Sequence, residues 1–169
     1  SAKRAKKRNA NIMATISGYA STCDGVNRIN HEPQGKELTR TIKLALERAK
    51  TNPEEIDFIS LDGLALDLWD NSEVTAIKEV FGVKAKAIPA SCPKSMFGNL
   101  LGASGALDTI TTVLAMEHNI IPPTINLDNP SPNGLNYITK EAIEHKINKA
   151  LIISRGRGGI NAVLIVEKP

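Results

Sequence analysis

Short apolar runs alternate with amphipathic segments along most of the chain. Three runs rich in β-branched and small apolar side chains predict strands: residues 11–21, 56–61 and 86–90. Residues 35–50 place apolar side chains at helical spacing, which predicts an amphipathic helix with one face against a core. A second helix is expected near Asp70, because Glu73 follows it at the spacing of a capping pattern. Strands and helices therefore alternate over this part of the sequence.

A third helix, predicted over residues 99–118, differs from the others because it has almost no polar face. Such a helix is typical of a central, buried position. Small side chains crowd its first turns, where they permit the close approach of another backbone or of a ligand. We therefore expect this helix to lie in the middle of the fold.

The end of the chain predicts a loop and then a hairpin. Residues 121–130 contain too many prolines for regular structure and are expected to form an extended surface loop. Residues 150–154 and 161–167 are β-rich runs joined by a glycine-rich segment, which favours antiparallel strands. The resulting order, β-α-β-α-β-α-β-β, predicts an α/β fold, a five-stranded mixed sheet with helices on its faces. We expect residues 1–169 to form one such domain.

Composition and charge exclude several classes of protein. The 169 residues carry 21 basic and 18 acidic side chains, an excess too small for a dedicated nucleic-acid or membrane binder. The basic opening, residues 1–8, is interpreted as a solvated helix end. No apolar run approaches the roughly 18 residues of a membrane span. Cys23 and Cys92 lie far apart and are expected to be free thiols, which favours a soluble, cytoplasmic protein.

Three motifs, in sequence order, carry a resemblance to a known family. They are residues 93–106 (PKSMFGNLLGASGA), 122–127 (PPTINL) and 156–161 (GRGGIN). They resemble the motifs T-K-S-x-x-G-H-x-x-G-A-A-G, P-P-T-I-N-L and G-F-G-G-T-N of β-ketoacyl synthases. Residues 59–66 (ISLDGLAL) stand where that family has N-A-H-G-T-x-T. The resemblance spans nearly the whole chain but only the C-terminal half of such an enzyme, and it implies half of a thiolase-superfamily fold.

The resemblance also implies where this sequence departs from a condensing enzyme. The family uses two histidines to assist decarboxylation and to stabilise an enolate oxygen, a task that suits neutral imidazole N–H donors. Asp62 and Asn99 occupy the two histidine positions. A carboxylate repels a developing oxyanion, and an amide donates a hydrogen bond but cannot supply a proton as imidazolium does. The histidines that are present match no family motif: His31, His118 and His145.

Two further residues belong to the same comparison. Lys94 matches the lysine of the family, which pairs with an acidic residue, and Glu73 is the matching candidate for that partner. We expect a structural rather than a catalytic ion pair, because buried charges need partners. Cys92, two residues before Lys94, is expected to be an inert packing residue, with a reactive thiolate as the alternative.

Four substitutions alter the pocket that the resemblance implies. Leu64 and Leu66 stand at threonine positions of the first motif, where they either line an acyl tunnel or pack into the core. Arg155 and Arg157 stand at the phenylalanine positions of the closing loop, so an aromatic gate has become cationic. These arginines either form an internal salt bridge with Asp62, which we favour, or meet the phosphate of a carrier's phosphopantetheine. A single arginine-glycine segment between two apolar strands does not indicate nucleic-acid binding.

A ketosynthase-like chain without its catalytic set resembles a chain-length factor, the inactive partner of a ketosynthase in type II polyketide synthases. The resemblance implies an active ketosynthase or a companion N-terminal half as partner. It also implies work on a phosphopantetheine-carrying acyl carrier protein, with no cofactor or metal bound directly and no nucleic acid or membrane as partner. The first alternative is the scaffold half of an active synthase or acyltransferase whose cysteine lies in another chain. The second is a freestanding binding module unrelated to lipids.

The apolar helix predicted over residues 99–118 bears on the choice among these functions. On its own, one half of such a fold would leave a large apolar surface in contact with water. We therefore expect the chain to need a companion half.

Overall fold

The computed structural model describes residues 1–131 and 134–169. Within them, eight strands, named β1 to β8 in chain order, occupy Thr15–Cys23, Phe58–Ser60, Pro89–Ser91, Ile120–Ile121, Asn136–Tyr137, Ile143–Glu144, Lys149–Gly156 and Ile160–Glu167. The α-helices of the described residues, α1 to α5, occupy Ala2–Lys7, Lys36–Ala49, Asp67–Phe81, Lys94–Phe97 and Ser104–His118. Every predicted strand and helix is present, with ends that differ by a few residues.

The main sheet is mixed, as the sequence predicts. Its strand order is β1-β8-β7-β2-β3-β5. The inner strands β7, β2 and β3 run parallel, whereas β8 is antiparallel to both β7 and β1. The α/β fold class is confirmed, but the sheet has six strands rather than the expected five. The additional strand, β5, pairs with β3 through only two residues, too few to produce a recognisable pattern in the sequence.

Helices α2 and α3 cover one face of the sheet and α5 covers part of the other. The apolar stripe of α2, which includes Leu38, Ile42 and Ala45, is fully buried against β1 and β8, as its spacing predicts. Gly18 of β1 permits this contact, because a Cβ there would lie 2.3 Å from the Ala45 carbonyl oxygen. A second cluster, which includes Met116 of α5 and Phe58 of β2, forms the core on the opposite face.

Helix α5 buries three polar side chains beside its core residues and exposes two large apolar ones. Ser104, Asp108 and Thr112 face the sheet and are buried, whereas Ile110 and Leu114 are 56% and 43% exposed. The helix predicted over residues 99–118 is therefore buried on one side only. Its two large exposed apolar side chains form a surface that the described part of the chain leaves in contact with water.

The sheet is also uncovered beside α5. Tyr19 pairs with Leu164, and Leu164 pairs with Ile152, whose side chain packs with Met116 of α5. Cross-strand partners point to the same face of a sheet, so all of these side chains lie on the α5 side. There Tyr19 and Ile160 are each 51% exposed. We call the surface formed by Tyr19, Ile160, Leu164, Ile110 and Leu114 the open apolar face.

Two other sequence expectations concern helices. The basic opening forms the exposed helix α1, as predicted. Helix α3 begins at Asp67 rather than Asp70, and the Asp70 and Glu73 carboxylates do not cap it. They accept hydrogen bonds from the backbone of residues 62–64, which ties that loop to the helix. Among the described residues, no helix is both long enough and apolar enough to span a membrane.

Candidate functional site

The family-matched residues come together where the parallel strands end. Asp62 follows β2, Lys94 follows β3, and Arg155 lies near the end of β7, which is the neighbour of β2 on its other side. Carboxyl ends of parallel strands meet at one edge of a sheet, and this edge is where α/β proteins place their sites. The structure thus brings these three predicted residues together at one edge of the sheet.

Lys94 forms its ion pairs with Asp62 and Asp108. Its Nζ lies 2.7 Å from Asp62 Oδ1 and 3.3 Å from Asp108 Oδ2. It also donates a hydrogen bond of 2.8 Å to the Asp62 carbonyl oxygen. All three side chains are at most 5% exposed. The expected pairing of Lys94 with Glu73 is therefore wrong, because α5 brings the Asp108 carboxylate to the lysine from the opposite face of the sheet.

Burial and the contacts within this group of three side chains, the buried triad, shift the pKa values of Lys94 and Asp108. Burial alone would lower the pKa of Lys94, but the Asp62 and Asp108 carboxylates raise it overall, so the ammonium stays charged. Burial raises the pKa of Asp108 despite the opposing attraction of Lys94. Neither Asp108 carboxylate oxygen accepts a hydrogen bond from the described residues. Asp108 thus depends on Lys94 for its charge compensation.

Glu73 hydrogen-bonds to the backbone after β2 instead of pairing with Lys94 as predicted. Its two carboxylate oxygens accept hydrogen bonds from the backbone N–H groups of Asp62 and Gly63, at 2.8 and 3.1 Å. Burial, and secondly the nearby Asp62 carboxylate, raise the pKa of Glu73 to about 7. Glu73 therefore holds the site loop by a contact whose strength changes near neutral pH.

The Glu73→Gln substitution is expected to show this titration as a change in stability. A carboxyl with a pKa of about 7 in the folded chain, against an ordinary value of 4.5, binds more protons when folded. Its favourable contribution is complete below pH 4.5 and is lost as the pH rises through 7. Between these limits the wild type should lose about 3 kcal/mol of unfolding free energy relative to Glu73→Gln.

Urea unfolding of both proteins at half-unit pH steps measures that difference. Thr75→Ala, a non-titrating change on an exposed residue of the same helix, serves as the control and should give a constant offset. A constant offset for Glu73→Gln as well would contradict the proposed titration.

Arg155 turns its guanidinium away from the Asp62 carboxylate. Its Nη1 donates hydrogen bonds to the Trp69 carbonyl oxygen and to Ser72 Oγ, at 2.8 and 2.9 Å, and its Nε donates to Asn161 Oδ1 at 3.1 Å. Only the Arg155 backbone N–H reaches Asp62, at Oδ1 and 3.1 Å. The favoured side-chain salt bridge is therefore wrong, because the arginine fills a polar niche against α3 instead.

A cavity of about 870 Å³ opens beside the triad. Lys94, Glu73, Asn99 and Leu64 all contribute to its lining, together with apolar side chains from the loop after β4. Leu66 is half exposed and does not line it. The side chain of Asn99 is partly engaged, because its Oδ1 accepts hydrogen bonds from the Leu101 N–H and Ser104 Oγ.

Cys92 also lines this cavity, and the structure favours the inert alternative for it. Its Sγ lies 3.3 Å from the Gly63 carbonyl oxygen and 3.5 Å from that of Asp62. Burial, and secondly the nearby Glu73 carboxyl, raise the pKa of Cys92 to about 12. A thiol with such a pKa stays protonated at neutral pH and is a poor nucleophile.

A second, shallower cleft of about 510 Å³ contains Arg157, which is exposed, and Arg28. Neither arginine forms an ion pair with the described residues. The two gate arginines thus have different environments, since Arg155 is buried and Arg157 faces solvent. Within the described part of the chain, no group of three or more His, Cys, Asp or Glu residues could hold a metal ion.

Sequence reasoning missed Asp108 and the buried group around Asp24, His31 and Asn161. Asp108 carried a usable signal, because a carboxylate flanked by apolar residues in the first half of the helix needs a partner if it is buried. His31 matches no motif, and its environment depends on contacts between segments distant in sequence. Nothing in the local pattern identifies such a residue.

Comparison with known proteins gives a consistent result. The family model for the β-ketoacyl synthase C-terminal domain matches residues 13–128. The chain is 39% identical, over 98% of its length, to 3-oxoacyl-[acyl-carrier-protein] synthase 2 of Coxiella burnetii, of which it covers 40%. It is 37% identical, over 95% of its length, to actinorhodin polyketide putative beta-ketoacyl synthase 1 of Streptomyces coelicolor, of which it covers 34%.

Solved structures agree with the sequence comparison. A type II polyketide acyl-carrier protein in complex with its ketosynthase (AntDE:AntF) matches with a TM-score of 0.96 and 34% identity, over 100% of this chain and 42% of that one. The ishigamide ketosynthase/chain length factor matches with a TM-score of 0.92 and 36% identity, over 99% and 41%. The chain thus spans between 34% and 42% of the length of these relatives. The match of the family model over most of its length shows that the chain belongs to the β-ketoacyl synthase family, in which it corresponds to the C-terminal domain.

Proposed function

We propose that this chain is the C-terminal half of a non-catalytic, chain-length-factor-type subunit. It pairs with an active ketosynthase in polyketide or fatty-acid chain elongation on an acyl carrier protein, in the cytoplasm. The observation that carries the proposal is the state of Asp62, the residue at the first histidine position. Its Oδ1 is 2.7 Å from Lys94 Nζ and also accepts the Arg155 N–H, and the residue is 3% exposed.

This arrangement opposes decarboxylative condensation. An enolate oxyanion needs preorganised hydrogen-bond donors, and loss of one such donor typically costs about 10²–10³ in rate. Asp62 is an acceptor that is already occupied, and its charge neutralises the neighbouring Lys94. Asn99 keeps a donor group, but its Oδ1 is committed to the start of α5. Neither position presents a general acid to the cavity.

The open apolar face supports the pairing with a companion half. Its exposed side chains come from both α5 and the sheet, so a partner would cover a continuous surface. Relatives that are more than twice as long as this chain supply the rest of the fold within one polypeptide. Arg28 and Arg157 support the carrier as a further partner, because two guanidinium groups that form no ion pair with the described residues suit a phosphate.

A second candidate function has its own supporting observation. The cavity beside Lys94 remains open, and Lys94 and Asn99 both line it. This favours the scaffold half of an active synthase or acyltransferase whose cysteine comes from another chain or from an N-terminal half. In that case Asn99 would act as a donor to substrate, and its removal would be costly.

Substitution of Asn99 by alanine separates the two functions. For a non-catalytic subunit, chain elongation by the complete assembly should change by less than about threefold, because no oxyanion depends on this amide. Product formation from malonyl carrier protein, followed by mass spectrometry, measures the rate. Val83→Ala, on an exposed turn away from the site, is the matched control. A loss of about a hundredfold or more would overturn the non-catalytic proposal in favour of the second candidate.

A further inference from the structure

Arg155 lies in the middle of a series of buried polar contacts that crosses the domain. On one side its guanidinium donates to Asn161 Oδ1 at 3.1 Å, and Asn161 Nδ2 donates to Asp24 Oδ1 at 2.7 Å. The other oxygen of Asp24 accepts hydrogen bonds from His31 Nδ1 and from the Glu32 N–H, at 2.8 and 2.9 Å. This side therefore ends in the loop of residues 24–32, which lies at the surface.

His31 anchors that loop in the interior. Burial, and secondly repulsion by Arg155, lower the pKa of His31, so its Nδ1–H donates as a neutral imidazole. The imidazole ring meets the Trp69 ring edge-on, with centroids 4.2 Å apart. The Trp69 carbonyl oxygen accepts a hydrogen bond from Arg155. Trp69 of α3 thus contacts both the 24–32 loop, through His31, and Arg155.

On its other side, Arg155 reaches the buried triad. Its backbone N–H and Lys94 Nζ both donate to Asp62 Oδ1, at 3.1 and 2.7 Å. The position of Asp62 therefore depends on the end of β7. The guanidinium fixes that end of the strand, because its three hydrogen bonds run to α3 and to β8.

The turn of residues 156–159 is held by the same group. The Asp24 N–H donates to the Gly159 carbonyl oxygen at 2.8 Å. Gly159 has a φ of +80°, and a Cβ there would lie 2.8 Å from Asp24 Cβ. The turn is thus packed directly onto the base of the 24–32 loop, which leaves no room for a side chain at Gly159.

We propose that Arg155 is a positioning residue that couples the 24–32 loop and the 156–159 turn to the Asp62–Lys94 pair. The loop exposes Val26 and Ile29, at 61% and 62%, together with Arg28. A partner that binds these side chains would shift Asp24, and the contacts through Asn161 and Arg155 would carry the shift to Asp62. This coupling does not depend on whether the assembly condenses acyl groups.

The two native cysteines of the chain make the coupling measurable without an engineered reporter residue. Cys92 Sγ contacts the carbonyl oxygens of Asp62 and Gly63 and is buried, so its alkylation reports on the inner end. Cys23 is exposed beside the 156–159 turn and should react promptly in every variant, which makes it an internal standard. Amide hydrogen exchange of residues 22–33 and 155–161, called the outer segments, reports on the 24–32 loop and the 156–159 turn.

The test replaces Arg155 with methionine in the complete native assembly. It follows the Asp62 end of the contacts through Cys92 labelling and the surface end through hydrogen exchange of residues 22–33 and 155–161. N-ethylmaleimide labelling of Cys92, resolved by peptide mass spectrometry, is expected to accelerate at least about tenfold relative to Cys23, with faster exchange of both outer segments. Arg157→Met is the matched control. It removes an exposed arginine of the same turn, and it should leave both readouts unchanged.

Two more variants distinguish coupling from a general loss of stability. Ile42→Ala weakens the α2 core without removing any hydrogen bond of Arg155, and should leave the ratio of Cys92 to Cys23 labelling near the wild-type value. Asp24→Asn should release the outer segments and also accelerate Cys92 labelling relative to the wild type, because the shift of the loop passes through Asn161 and Arg155 to Asp62. Equal Cys92 acceleration in Ile42→Ala and Arg155→Met would overturn the proposal. If Arg155→Met does not fold, unchanged outer exchange in Asp24→Asn would overturn it as well.

Discussion

Replacing Lys94 with methionine is expected to lower the free energy of unfolding by about 3–5 kcal/mol, because it leaves two buried carboxylates without their counter-charge. Methionine keeps the length of the side chain, so little packing is lost. Asp62 and Asp108, at most 5% exposed, would then lie close together in a region of low dielectric. The loss should grow as the pH rises, because the removal of Lys94 raises the pKa of Asp108 further above its ordinary range.

Urea unfolding at pH 5 and pH 8 measures both parts of this expectation. Lys43→Met is the control, since Lys43 forms an exposed pair with Glu79 at 3.9 Å and should matter little. Addition of Asp108→Asn to Lys94→Met should recover part of the lost stability. A loss below about 1 kcal/mol would mean that the triad is far better hydrated than its burial indicates.

Introducing a charge at Ile110 is expected to weaken association with the companion half by about a hundredfold or more. Ile110 belongs to the open apolar face and is 56% exposed in this chain. A carboxylate there would be buried without a partner on assembly, which costs several kcal/mol. Native mass spectrometry and sedimentation of the Ile110→Asp assembly would measure the effect.

Val83→Asp provides the matched control for that experiment. Val83 is the most exposed of the large apolar residues, at 96%, and lies on the turn after α3, away from the open apolar face. The control should assemble like the wild type. Normal assembly of Ile110→Asp, or a wild-type chain that is soluble and monomeric alone, would contradict a covered face.

Segments with a strong local pattern were predictable from the sequence. The apolar stripe of α2 and the two apolar strands around the glycine turn were found nearly to the residue, because burial imposes a period on each of them. The motifs also named Lys94 and Asn99, which line one cavity, and Asp62, which pairs with Lys94 beside it. These features depend on residues close together in the sequence.

Features that depend on contacts between distant segments were not predictable in this way. The motif comparison named Glu73 as the partner of Lys94, whereas the fold supplies Asp108 from the opposite face. The same comparison gave Arg155 two partners, the Asp62 side chain and a carrier's phosphate, but no information on its rotamer. The guanidinium turns towards α3, where its Nη1 donates hydrogen bonds to the Trp69 carbonyl oxygen and to the Ser72 hydroxyl.

The sheet topology has a consequence for synthesis on the ribosome. β1 lies at the edge of the sheet, and among the described residues its strand partner is β8, from Thr15 opposite Glu167 to Cys23 opposite Ile160. Because β1 is translated before β8, it remains without this partner until β8 leaves the exit tunnel. Completion of this sheet must therefore follow translation of β8. Until then β1 presents an unpaired strand edge, which is a surface prone to association with other chains.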